Sequence, residues 1–275
     1  MHKDNLFPKP GLIDKLEDQS IFIIREAYAQ LRKVAMLWSI GKDSTTLLWL
    51  IRKAFFGKIP FPIVHIDTTY KFKEIYEFRD KYVKEWNLNL LIAKNEDALG
   101  KGMGPEGGKF QCCTELKTNA LKKIIAEYKF KALYLAIRRD EHGIRAKERV
   151  FSLRDEDFEW NYKQQPPEFW DQYKTKAKDE EHLRIHPLLG WREIDVWEYI
   201  RRENIPIVSL YFAKSGKRYR SIGCQCCCQP VDSNASSIDK IIEELRISKV
   251  SERSGRAQDK ESAYIMQRLR SLGYM

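Results

Sequence analysis

The sequence predicts a doubly wound α/β fold: a mostly parallel sheet flanked by helices, with a helical C-terminal extension. Short apolar runs recur at Val34 to Trp38, Ile63 to Ile66, Leu88 to Ile92 and Leu133 to Ile137. Between successive runs lie segments whose apolar residues recur at helical spacing. Strands that alternate with helices need crossover connections, so they lie parallel. The last fifty residues carry only helical patterns, Ile238 to Leu245 and Ala263 to Leu272. The expected division is a sheet domain over residues 1–213 and an extension over 214–275.

In chain order, Leu12, Leu16, Ile21, Ile24, Tyr28 and Leu31 mark a leading helix packed across the sheet. The stretch VAMLWSIGKDSTTLL follows, a buried strand, a turn holding Gly41, and a helix from Ser44. Strand, small polar turn and helix form a phosphate site: backbone N–H groups converge on one concavity and the helix dipole adds positive charge. Lys42, Ser39 and Ser44 add donors, and Asp43 would hold a magnesium ion that bridges phosphates. The alternative is an ordinary polar βα turn. Neither a Walker A loop nor a GxGxxG turn stands here. Gly102, Gly104 and Gly107 have the latter spacing, but Pro105 interrupts them and no apolar run leads in.

The second strand ends at Asp67, which faces the ligand side of an open sheet or caps the next helix. That helix runs from Phe72 to Trp86, with Ile75, Phe78, Tyr82 and Val83 on one stripe. Cys112 and Cys113 are expected at the N-terminus of a further helix, where the dipole favours thiolates. The fourth strand ends at Arg138-Arg139-Asp140-Glu141, followed by Arg145. Arginines there would hold phosphate or sulfate oxygens in bidentate fashion, and a solvated charged helix is the competing reading. Phe158 to Tyr173 is aromatic and broken by prolines, and is expected to form a lid over the site or a stacking platform for bases. His186, before Pro187, reads as structural. Arg253 and Arg256 are expected to close over the nucleotide from the C-terminal side.

The chain has 275 residues, 43% of them hydrophobic, enough for a full core. No apolar segment reaches the roughly 18 residues that span a bilayer, and MHKDNLFPKP has no signal core, so a cytoplasmic protein is expected. A net charge of +10 suits polyanionic ligands such as nucleotides, sulfate or nucleic acid without choosing among them. The six cysteines fall into two groups, Cys112-Cys113 and Cys224 to Cys228. In a reducing compartment such clusters point to a metal rather than to disulfides.

The segments SIGKDS, HIDTTYKFKEIYEFRD, RRDE with RAKER, FSLRD, DVWEYI with ENIPIVSLY, and VDSNA through SERSGR resemble, in this order, the adenine nucleotide α-hydrolase and PAPS reductase superfamily. The resemblance runs closest to small subunits of bacterial sulfate adenylyltransferases. Ile40 stands where the superfamily's loop usually has glycine. The resemblance implies ATP cleavage between the α and β phosphates, with Ser39, Ile40, Gly41, Ser44, Asp67, Asp140, Arg145, Arg253 and Arg256 around the nucleotide. It implies that Lys42, Arg138 and Arg139 stabilise the pyrophosphate, with magnesium held through Asp43 or Asp67. QCCTELKT and SIGCQCCCQPV are similar to the cysteine elements of adenylylsulfate reductases and of the ATP pyrophosphatases of DNA phosphorothioation. They imply a [4Fe–4S] cluster on Cys112, Cys113, Cys224 and Cys227, with Cys226 or Cys228 as substitutes and structural zinc as the rival. A longer insert usual before the SIGC turn is replaced by a short linker, Lys214 to Arg220.

The leading expectation is an ATP pyrophosphatase that activates a DNA backbone phosphate, with DNA and DNA-modification subunits as partners. Sulfate as acceptor, with a GTPase partner subunit, is the alternative. A sulfonucleotide reductase is weaker, because no cysteine follows Cys228. A homodimer is a further expectation.

Overall fold

The computed structural model describes residues 10–179, 181–255 and 268–269. Its first half alternates as expected: α1 (Leu12–Leu31), β1 (Val34–Leu37), α2 (Lys42–Ala54), β2 (Ile63–Ile66), α3 (Lys73–Glu85) and β3 (Leu90–Ala93). Next come α4 (Glu96–Gly100), α5 (Lys109–Cys113), a π-helical stretch (Thr114–Asn119), α6 (Ala120–Tyr128) and β4 (Ala132–Tyr134). The chain continues through β5 (Phe151–Arg154), β6 (His182–Ile185), α7 (Glu193–Glu203), the short pair β7 (Lys217–Arg218) and β8 (Val231–Asp232), and α8 (Ile238–Ile247).

The main sheet has the order β3-β2-β1-β4-β6-β5, parallel except for β5 at one edge. Residues alternate between its faces. In β1, Val34 and Met36 join a core that includes Ile23 and Ile24 of α1 and Leu47 and Ile51 of α2. Ala35 and Leu37 join the opposite core with Leu121, Ile124 and Ile125 of α6. Both faces are therefore covered, which is why the central strands read as unbroken apolar runs. β1 pairs with β2 on one side and β4 on the other, so the chain leaves the two strands in opposite directions and a crevice opens at their carboxyl ends. Among the described residues, no helix is long and apolar enough to cross a membrane.

Two differences from expectation have physical causes. β5 and β6 break the apolar pattern because they carry buried charge: Arg154 donates to Glu148 Oε1 at 2.9 Å and to Ser152 Oγ at 2.8 Å, and Glu148 Oε2 accepts from Ser152. The segment 158–173 does not cover the crevice. It lies along β5, where the Glu168 carboxylate accepts from the backbone N–H groups of Val150 and Phe151 at 2.9 and 2.8 Å, and Tyr173 stacks on Phe151. An open edge strand exposes unpaired N–H groups, and this segment covers it.

Candidate active site

The loop after β1 presents the start of α2 to the crevice. Ser39 Oγ lies 3.0 Å from Ser44 Oγ, and Ser44 Oγ also donates to Gly41 O at 3.1 Å. Gly41 is the N-cap of α2, and a Cβ there would stand 3.4 Å from Tyr211 Oη. Ile40 is buried with φ of 63°, a left-handed conformation that a β-branched residue adopts only at a cost of order 1–3 kcal/mol. The backbone here therefore keeps a glycine-type turn although the residue is isoleucine.

Lys42, the first residue of α2, meets Arg138, which follows β4. The Lys42 ammonium pairs with Asp43 at 3.1 Å and with Glu252. Burial alone would lower its pKa, but Asp43 and Glu252 outweigh burial and hold it above the ordinary lysine value. Arg138 spends Nε on Asp140 at 2.9 Å, Nη1 on Asp43 and Nη2 on Glu252. Its pKa is likewise raised, because burial is outweighed by these carboxylates. Asp140 also accepts from the N–H of Glu193 at 2.8 Å, which ties the start of α7 to the same point. Arg220 reaches Glu193 at 2.7 Å.

The structure separates the expected residues. Lys42, Asp43, Arg138 and Asp140 converge; Arg139 does not. Its side chain is exposed and, among the described residues, donates to the carbonyl of Glu148 at 3.4 Å. Adjacent residues in extended chain point to opposite sides, so two consecutive arginines cannot share one site. Asp67 is turned inward on its own loop, accepting from the Thr69 N–H at 2.8 Å and Tyr76 Oη at 2.7 Å. Burial opposes its ionisation, but those two hydrogen bonds hold its pKa below the ordinary value.

Beside the loop, a cavity is walled by Leu37, Val64, Ile66, Leu135 and Ile137 and edged by Lys71, Lys117, Arg145 and Arg253. Arg145 and Arg253 share the carboxylate of Glu141, Arg253 at 3.0 Å. Arg256 lies outside the described residues. An apolar slot with a basic rim, next to a helix N-terminus, suits a flat heterocycle joined to phosphates.

The two cysteine groups are brought close to one another. Gln225 donates its N–H to Tyr70 O at 2.7 Å and Cys224 Sγ lies 3.2 Å from Thr68 Oγ1, so the 224–228 turn is fastened to the loop after β2. Cys112 lies within the field of Cys113, Cys224 and Cys227. The expected thiolate at a helix N-terminus is corrected. The helix begins at Lys109, which places Cys112 within it, and burial, then Cys113 and Cys224, push its thiol up to about 11. Burial and Cys226 push Cys227 up to about 12. Among the described residues, no group of three or more His, Cys, Asp or Glu is arranged to hold a metal ion. The donor chemistry nevertheless fits a centre that takes thiolates. Buried thiols raise one another's pKa, and a metal centre would relieve that repulsion. Cys226 is exposed, and Cys228 Sγ accepts from the Gly223 N–H at 3.0 Å.

Glu252, Tyr211, Glu193, Arg220, Lys71 and Lys117 complete this region and were not singled out from the sequence. Only Lys117 carries a local signal, four residues after Cys113 on the same helical run.

A switch-point crevice with a cationic loop defines an α/β protein that binds a phosphorylated nucleotide. The model of the phosphoadenosine phosphosulfate reductase domain matches residues 33–230, and the chain belongs to that family. It is similar to sulfate adenylyltransferase subunit 2 of Bacteroides fragilis, 40% identical over 293 aligned positions that cover 95% of this chain and 97% of the relative. The same subunit of Parabacteroides distasonis is 41% identical, with the same coverage. The aligned length exceeds the 275 residues of this chain, so the relatives carry segments that it lacks. The fold is similar to that of phosphoadenylyl-sulfate reductase from Candida auris, with a TM-score of 0.55 and 18% identity over 82% of this chain and 100% of that one. It is also similar to the FMN adenylyltransferase of Candida glabrata in complex with ATP, with a TM-score of 0.56 and 17% identity over 93% of this chain and 80% of that one.

Proposed function

We propose that this chain is the ATP-cleaving subunit of a sulfate-activating enzyme. A sulfate oxygen attacks the α-phosphorus of ATP, the bond from that phosphorus to the α–β bridging oxygen breaks, and pyrophosphate leaves while adenylylsulfate forms. The observation that carries this reading is the convergence of Lys42 and Arg138 at the N-terminus of α2. Two cations and a helix terminus together stabilise the charge that builds on a departing pyrophosphate, and positioning supplies much of the rest. The rim residues Lys71, Lys117, Arg145 and Arg253 would hold the remaining anionic groups. Asp43 would hold a magnesium ion that neutralises phosphate oxygens, since hard carboxylate oxygens suit that ion. Asp67, whose Oδ1 accepts from Thr69 and Tyr76, is the other candidate.

Similarity to sulfate adenylyltransferase subunit 2 along nearly the whole chain supports sulfate as acceptor, and the relatives' name implies a partner subunit. The cysteine groups favour a second reading, with which the net charge of +10 is compatible, in which the acceptor is a non-bridging oxygen of a DNA backbone phosphate. In either case Cys112, Cys113, Cys224 and Cys227 would hold a [4Fe–4S] cluster, or structural zinc, which would staple the helix of Cys112 to the 224–228 turn. The deciding experiment is pyrophosphate release from magnesium ATP by anaerobically purified protein with its partner subunit. Release that requires sulfate and yields adenylylsulfate is expected. Release that ignores sulfate and rises with DNA would overturn this acceptor in favour of the second.

A further inference from the structure

Glu252 stands between Lys42 and Arg138. Its carboxylate pairs through one oxygen with the Lys42 ammonium and through the other with the Arg138 guanidinium. The two oxygens thus satisfy two cations as two phosphate oxygens would. With Glu252 in place both cations are sealed: Lys42 is 1% exposed, Arg138 0% and Glu252 7%. Every Arg138 nitrogen donates to a carboxylate, Nε to Asp140, Nη1 to Asp43 and Nη2 to Glu252. While this carboxylate stays, both cations are buried and a ligand from solvent does not reach them.

The charge balance points the same way. Lys42 and Arg138 face Asp43, Asp140 and Glu252, so carboxylates outnumber cations in the network that these ion pairs join. The rim cations Lys71, Lys117, Arg145 and Arg253 draw a polyanion to the cavity, but a phosphate that is to sit between Lys42 and Arg138 meets these carboxylates unless one leaves. Glu252 is the one that can leave with least disruption. It comes from a single turn, Glu252–Gly255, whereas Asp43 sits on α2 and Asp140 fixes the start of α7. Its segment is held on both sides: Arg220 donates to Val250 O at 2.7 Å, and Arg253 pairs with Glu141 at 3.0 Å on the cavity rim. Displacement would therefore be a local swing of Ser251 and Glu252 between these two ties.

We propose that Glu252 is an internal occupant of the phosphate site, a carboxylate that stands in for nucleotide phosphate in the free protein and is expelled when the nucleotide binds. This rests on the reading of Lys42 and Arg138 as phosphate ligands. The exchange keeps both cations paired throughout, and the expelled carboxylate regains water. An internal competitor lowers apparent affinity by the fraction of molecules in which it has left the site.

The test is calorimetric titration of the full chain with pyrophosphate, once with magnesium and once with EDTA, for the wild type and Glu252→Gln. Hydrogen exchange of residues 248–255 is followed in the wild type. The proposal expects Glu252→Gln to bind pyrophosphate on the order of tenfold more tightly in both conditions. It also expects exchange in 248–255 to rise when the wild type binds pyrophosphate. Unchanged or weaker binding by the variant in EDTA overturns the proposal, and weakening with magnesium alone would make Glu252 a metal ligand instead. If Glu252→Gln fails to fold, the wild-type exchange decides, and unchanged or increased protection of 248–255 overturns the proposal. If the wild type binds pyrophosphate as tightly after Lys42→Ala as before, the phosphate-site reading falls and takes this proposal with it.

Discussion

The backbone N–H of Lys42 donates to the phenol oxygen of Tyr211 at 2.8 Å, across 169 residues of sequence. The Tyr211 ring lies under the Lys42 ammonium, 6.0 Å from its centroid, and packs edge-on against Trp197 of α7. The first N–H of α2 is therefore held by a residue distant in sequence, which links the loop after β1 to the packing around α7.

Tyr211→Phe keeps that packing and leaves the Lys42 N–H buried without its acceptor. The expected cost is about 1–3 kcal/mol in stability, measured by urea denaturation. A variant as stable as the wild type would show that the bond does not hold the loop.

Arg138 and Arg139 are neighbours in sequence, but only the first reaches the site. Arg138→Lys loses the planar fork that joins Asp43, Asp140 and Glu252, and is expected to slow pyrophosphate release by on the order of a hundredfold. Arg139→Ala removes an exposed side chain and is expected to change stability by no more than about 0.5 kcal/mol, with release close to that of the wild type. Equal losses in the two variants would contradict the geometry.

Burial opposes ionisation of Glu252, yet Arg138 and Lys42 outweigh it and bring its pKa from an ordinary 4.5 to about 2. A carboxylate whose pKa is depressed by folding contributes stability that is complete above the unfolded value and is lost as pH falls through the folded one. The stability gap between wild type and Glu252→Gln is thus expected to be full at neutral pH and to shrink between 4.5 and about 2. A gap that widens as pH falls through this window would have the wrong sign.

Cys224 is buried against Thr68 and faces Cys112, whereas Cys226 is exposed. Cys224→Ser is expected to lose bound iron and acid-labile sulfide from anaerobically purified protein, and Cys226→Ser to retain them. Stoichiometric zinc without iron in the wild type would replace the cluster by a structural metal site.

The parallel half of the sheet is legible in the sequence because its strands are buried on both faces. Ile63–Ile66 carries three β-branched or apolar residues and a histidine whose Nδ1 is satisfied by Trp38 O at 2.9 Å. β5 and β6 are not legible, since Arg154, Arg184 and His182 are charged or polar residues at buried positions, which a hydrophobic pattern assigns to solvent. The start of α5 was hidden by the glycines that precede Lys109, so the cysteines were expected ahead of the helix rather than within it.

Within the site, Lys42 and Asp43 were legible because they sit on one local motif of strand, turn and helix. Arg138 was legible from its place after a strand. Glu252 was not, because its partners lie 210 and 114 residues away and its own neighbours, Arg253 and Arg256, read as a basic bend. Local patterns report what a segment can become, and a long-range ion pair leaves no mark on either segment alone.

The most direct measurement is the identity of the phosphate product formed from ATP labelled in the γ position, with magnesium, sulfate and the partner subunit present. Labelled pyrophosphate is expected from the wild type and none from Lys42→Ala. Labelled orthophosphate as the first product, formed by cleavage between the β and γ phosphates, would contradict it.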